Sequence, residues 1–166
     1  MRKAAFVCSL AAGLCMAPPP SARADSGTMD IEISASAQAF PVEMEDTTVT
    51  AQGGSGTLRI ANSSGRPFVD GDSAQVRYAL FSRKTPSGLI LEADSLATFP
   101  SEETLMLVFE RGVDHPGTAG EGTMRIVGGS GRFTGVDGRC TYRTDDRADA
   151  WNVTAHCEWL YVFPYR

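Results

Sequence analysis

Histidine is scarce in this chain. Of 166 residues only His115 and His156 are imidazoles, which excludes a three-histidine metal site or a histidine–cysteine cluster, so no metal and no cofactor is expected. A nucleophile elbow is also missing: Gly129-Ser130-Gly131 has neither the Gly-x-Ser-x-Gly spacing nor a strand-to-helix setting. The glycine-rich run around it lacks the Lys-Ser/Thr ending of a phosphate loop. Positive charge is short as well. Beyond residue 24 there are 12 basic against 20 acidic residues, a balance of −8, and such a surface repels phosphate backbones and anionic lipid. Nucleic acid is excluded as a partner, and small or neutral partners remain.

Long apolar runs are confined to the start of the chain. Arg2 and Lys3 precede an apolar stretch from Ala4 to Met16, and Ala22-Arg23-Ala24 supplies a small-x-small cleavage site. These are the three parts of a secretory signal, so residues 1–24 are expected to be a leader and residues 25–166 one domain, secreted or periplasmic. No later run is long enough to span a membrane as a helix. Two of the four cysteines belong to the leader. The other two, Cys140 and Cys157, are expected to form a disulfide in an oxidising compartment, closing a 17-residue loop.

What is present is strand character. Amphipathic helical periodicity is missing after residue 24, and short alternating segments are separated by Gly, Pro, Ser and Asp. Strands are expected over Met29–Ser34, Thr47–Ala51, Gly56–Asn62, Ser73–Arg83, Leu89–Ala93, Thr104–Glu110, Gly122–Val127, Gly138–Thr144 and Trp151–Phe163, with Val113–Gly120 a loop. Eight or nine strands in about 140 residues predict an all-β fold, either a closed antiparallel barrel or a two-sheet sandwich.

The last two strands carry their own register. If Cys140 faces Cys157, Tyr142 lies opposite Ala155, Thr141 opposite His156, Arg139 opposite Glu158 and Gly138 opposite Trp159. One face then holds Cys140, Tyr142, Val153, Ala155, Cys157 and Trp159 and should look inward, with Trp159 packing over the bare Gly138. His156 is placed on the polar face beside Arg139 and Glu158.

The stretch Ile126–Gly138 contains Gly128, Gly129, Gly131, Gly135 and Gly138 with Phe133 among them. So dense a cluster between two strands marks a sharp turn, for which Phe133 is the natural plug. From Met124 to Gly135, followed by Gly138 opening a strand, the string resembles the "G-G-x-G-x-F" signature of allene-oxide-cyclase-like and dirigent-like barrels, including small secreted bacterial relatives. The resemblance implies a single eight-stranded antiparallel barrel of calycin type, with an interior suited to a small apolar or aromatic molecule. Plant relatives cyclise an unsaturated epoxide or steer radical coupling. Their catalytic residues lie outside the glycine signature, so none is carried over, and the Cys140–Cys157 pair is not part of the plant pattern.

Candidate pocket residues follow from the expected inward faces. Tyr78, Phe109, Tyr142 and Trp159 could line a cavity and stack on a ligand, or else fill the core. Glu92, paired with Asp94 on one face of its strand, would become a proton shuttle if it pointed inward and a solvated carboxylate if it pointed out. Three functions stay open: a binding barrel holding a small hydrophobic molecule, a cyclase or isomerase acting on an unsaturated substrate, and a non-catalytic interaction module with a filled barrel. The oligomeric state is left open.

Overall fold

The computed structural model describes residues 24–112, 120–147 and 150–162. The expected leader therefore lies almost wholly outside the described residues, as does His115. Nine strands run in chain order: β1 (Ala24–Ser36), β2 (Gln38–Met44), β3 (Thr47–Ala61), β4 (Ser73–Thr85), β5 (Gly88–Thr98), β6 (Thr104–Arg111), β7 (Glu121–Gly129), β8 (Val136–Arg147) and β9 (Ala150–Val162). Every pairing is antiparallel. Neighbours follow the order β1-β9-β8-β7-β6-β5-β4-β3, and Asp30–Ala35 of β1 pair with Gly56–Ala61 of β3 to close an eight-stranded barrel. The ninth strand, β2, pairs with the first half of β3 beyond that seam.

The seam explains why one strand stands where the sequence pattern suggests two. Gly54, in the expected gap, and Gly56, the first residue expected of the next strand, sit in the middle of β3, and the chain continues through them. A Cβ on Gly54 would collide with the Ser36 carbonyl, and one on Gly56 with the Ser34 carbonyl and Ala35. The glycines let β1 cross close to β3; they permit closure and do not end the strand.

β2 is a strand that the pattern reading did not assign. Phe40, Val42 and Met44 alternate as strand residues do, but Pro41 stands between them and every side chain of β2 is exposed. Proline removes a ladder donor and is tolerated on edge strands, which is where β2 lies. With the first half of β3, the end of β4 and the start of β5 it forms a four-stranded flap above the barrel.

The disulfide and the terminal register are as expected: Cys140 and Cys157 are bonded and directly paired, and Gly138 lies opposite Trp159. One packing detail differs. The Trp159 indole lies over Gly27 of β1, its partner on the other side, while the space above Gly138 is taken by Ile126 of β7. Barrel closure brings β1 against β9, so the ring fills the gap on that side.

Candidate functional site

Alternation along β4, β6, β8 and β9 turns Tyr78, Phe109, Tyr142 and Trp159 into the barrel, where all four are buried. They do not converge on one site. Toward the flap, the Tyr78 ring lies 4.5 Å from Trp151 between centroids, Phe109 lies 5.1 Å from Trp151, and Tyr142 meets Phe109 edge-on at 5.4 Å. Trp159 belongs to the other end, 5.6 Å from Phe68, which in turn lies 5.4 Å from Phe133. Two rings of these layers, Trp151 and Phe68, escaped the sequence reading. Trp151 was seen only as the start of a strand, and Phe68 sits in the non-periodic segment after Pro67.

Glu92 is outside the barrel. It is exposed on the outer face of β5, opposite Phe81 of β4 and Glu110 of β6, while its neighbours Ala93 and Ser95 point inward. The barrel interior is therefore lined by rings and aliphatic side chains. Its polar atoms are few: the Ser95 Oγ, Tyr142 hydroxyl and Trp159 Nε1 are buried with no hydrogen-bond partner among the described residues. The Tyr78 hydroxyl donates to the Ser36 carbonyl at 3.1 Å.

Burial raises the pKa of both phenols. Desolvation dominates at Tyr142, opposed by the nearby Arg111 charge, and at Tyr78, opposed by a hydrogen bond with Gln52. Both remain protonated at neutral pH and can donate a hydrogen bond but not accept a proton as bases.

The glycine run sits at the end of the barrel away from the flap. Gly128, Gly131 and Gly135 have φ of 118°, 61° and 86°, and Gly131–Phe133 make a single 3-10 turn before β8. The Ser130 hydroxyl accepts from the Thr104 amide at 2.9 Å, and the Glu103 carboxylate accepts from the Arg132 amide at 2.8 Å, tying the turn to β6. Phe133 is buried between Phe68 and Phe99, whose ring is 4.8 Å away. The Arg132 guanidinium lies over Phe133 and Phe99, at 4.7 and 5.1 Å from the centroids. It also pairs by charge with Asp72 at 2.6 Å and Glu103 at 3.2 Å, neither contact having hydrogen-bond alignment.

Polar chemistry is concentrated on the outer surface. Pairing of β1 with β9 sets Asp30 opposite His156, and the imidazole Nδ1 donates to the Asp30 carboxylate at 2.7 Å. The Asn62 amide donates to the other oxygen at 2.7 Å. These hydrogen bonds, Asn62 first and His156 second, hold the Asp30 carboxyl below its usual range. The cluster borders an open groove of about 600 Å³ that also takes in Thr141, Thr154 and Arg143. An imidazole oriented by a carboxylate can exchange a proton through Nε2, but the hydroxyls around it are those of threonines on solvated strand faces, and among the described residues none is hydrogen-bonded to His156.

The terminal hairpin placed His156 on the polar face correctly but gave no hint of Asp30, because that contact crosses the barrel seam. Among the described residues no group of three or more His, Cys, Asp or Glu side chains is placed to hold a metal ion, and no helix is long and apolar enough to cross a membrane. No family model, curated protein or solved structure matches the chain.

Proposed function

We propose that the protein is an exported, non-catalytic interaction module: a barrel filled by its own side chains that presents its outer surface to partners. One observation carries this reading, namely that the four aromatic pocket candidates are buried in contact with other rings and are split between the two ends of the barrel. Export is supported by the leader-like residues 1–24 and by the Cys140–Cys157 disulfide, a bond that persists in oxidising compartments. The likeness to allene-oxide-cyclase-like barrels rests on the glycine string and on the strand pattern around it, roughly Ser73 to Phe163. Glu92, the carboxylate considered as a proton shuttle for a cyclase, is exposed on the outer face of β5, which leaves that reading with positioning alone.

A second reading, a small hydrophobic ligand inside the barrel, draws support from the unpartnered Tyr142 and Ser95 hydroxyls, which a ligand acceptor could satisfy if the ring layer opened. Native mass spectrometry of protein purified from its own exported fraction separates the two. The interaction module gives the bare polypeptide mass and no uptake of a lipophilic dye. A stoichiometric co-purifying molecule would overturn it in favour of the ligand barrel.

A further inference from the structure

The outside of the barrel has two unlike sides. Strands β8, β9 and β1 turn mostly charged residues, hydroxyls and His156 to solvent. By contrast, eight of the ten large apolar side chains that stand exposed lie on β2, β4, β5, β6 and β7. Five of the eight, Phe40, Val42, Met44, Phe81 and Ile90, lie together on the flap, whereas Leu96, Met106 and Val127 stand nearer the closed end; an exposed apolar cluster such as the first marks an association site.

Within that side the strand register creates a nearly self-complementary set of four positions. On the outer face, Phe81 lies opposite Glu92 and, two residues along, Arg83 lies opposite Ile90. The four positions are corners of a rectangle roughly 4.8 by 6.7 Å, with opposite charges on one diagonal and apolar groups on the other. A two-fold axis lying in the sheet plane along the Phe81–Ile90 diagonal carries each charged corner to within about 3 Å of the other, a gap that long Arg and Glu side chains span. Each Arg83 then faces the partner's Glu92, while Phe81 and Ile90 each meet their own copies. That is the geometry of an isologous interface.

Two further observations favour a second copy of this chain as the occupant. Neither Arg83 nor Glu92 has an ion-pair partner among the described residues, and Glu92 stands directly opposite Glu110. Like charges facing across a strand pair are unfavourable, and an incoming arginine relieves them. Edge-to-edge extension through β2 is disfavoured because Pro41 removes an amide donor from that edge strand, so the face is the surface that remains.

We infer that the outer face of β2–β6 is a dimerisation surface on which a second copy packs through reciprocal Arg83–Glu92 pairs around Phe81 and Ile90. This deepens the interaction-module reading by naming the partner. The face measures roughly 20 by 20 Å, below the ~800 Å² per partner of a standard interface, so the dimer is weak and concentration-dependent.

Sedimentation equilibrium of the purified protein tests it. The wild type is expected to show a reversible monomer–dimer equilibrium. Arg83→Glu and Glu92→Arg are each expected to weaken association at least ~10-fold, and the doubly reversed R83E/E92R protein to recover to within about 3-fold of wild type. Both positions are exposed, and circular dichroism confirms that the variants fold. A wild type that stays monomeric up to its solubility limit, or a double reversal no better than the single ones, overturns the inference. A monomeric, empty barrel leaves the reading of the interior standing, whereas a dimer carrying a bound ligand refutes that reading and leaves this one.

Discussion

Phe133 and Phe40 mark the two ends of the barrel and meet opposite fates. Phe133 is wholly buried between Phe68 and Phe99 beneath the Arg132 guanidinium, while Phe40 stands 60 % exposed on β2. Both ends carry layers of rings: Phe68, Phe99, Phe133 and Trp159 at one, Tyr78, Trp151, Phe109 and Tyr142 at the other. The difference lies in what comes next. At the closed end the chain folds a turn and a cation over the rings. At the flap end β2–β5 run on past the rings, so apolar side chains remain in water. Among the described residues the turn and the Arg132 guanidinium cover the rings at one end, whereas at the other Arg111 lies beside Tyr142 and the apolar side chains of the flap stand exposed.

The sharpest way to break that contrast is Phe133→Ala. Removing a fully buried phenyl from a ring cluster that cannot collapse is expected to cost about 3–5 kcal/mol, read as a shift of the urea midpoint with an unchanged slope. A cost below about 1 kcal/mol would mean that the turn does not seal the barrel. Replacing both Cys140 and Cys157 by alanine should cost about 3 kcal/mol on the chain-entropy account of a 17-residue loop. The bond lies between the two ring layers, so a single cooperative transition is expected to persist. Separate transitions seen by tryptophan and backbone signals would show that the two ends melt independently.

Legibility from sequence follows the range of the interactions. The β8–β9 hairpin could be registered residue by residue because two cysteines pinned a local pair and period-2 alternation did the rest. The glycine run announced a turn because glycine density is a local signal. What escaped depended on closure. The Trp159–Gly27 packing and the Asp30–His156 hydrogen bond join β9 to β1, residues more than a hundred positions apart, and no local pattern encodes that register. The gap expected between Ala51 and Gly56 does not exist, because glycine within a strand pattern is compatible with both a turn and a close backbone approach; only the crossing of β1 decides between them. The placement of Glu92 was open for a related reason. Alternation put Leu91 and Ala93 on one face and Glu92 on the other, but which face turned inward depended on the closed barrel.

A smaller effect tests the seal through pH. The Glu103 carboxyl lies below its ordinary range, held there first by the Arg132 amide, next by the Ser101 hydroxyl and also by the Arg132 charge, with burial opposing. A carboxyl lowered on folding contributes stability that is fully present above its unfolded pKa and is lost as pH falls through the folded value. Glu103→Gln is therefore expected to cost about 1 kcal/mol at neutral pH. The gap from wild type should narrow on acidification below the ordinary carboxylate range. Melting curves across pH provide the measurement, and a gap that stays constant into acid would remove Glu103 from the seal.

The smallest effect is the counterpart of the first. Phe40→Ala makes the same chemical change as Phe133→Ala at the opposite end. In dilute solution, where the chain is monomeric, the ring is already mostly hydrated, and its loss is expected to shift stability by no more than about 0.5 kcal/mol. The transfer free energy of a phenyl group is realised only when water is removed from it, and among the described residues β2 pairs with β3 alone, at the edge of the sheet. If Phe40→Ala instead cost several kcal/mol in urea unfolding of the monomer, the flap would be folded against another part of the chain. The distinction between an end that stabilises and a flap that associates would then fail.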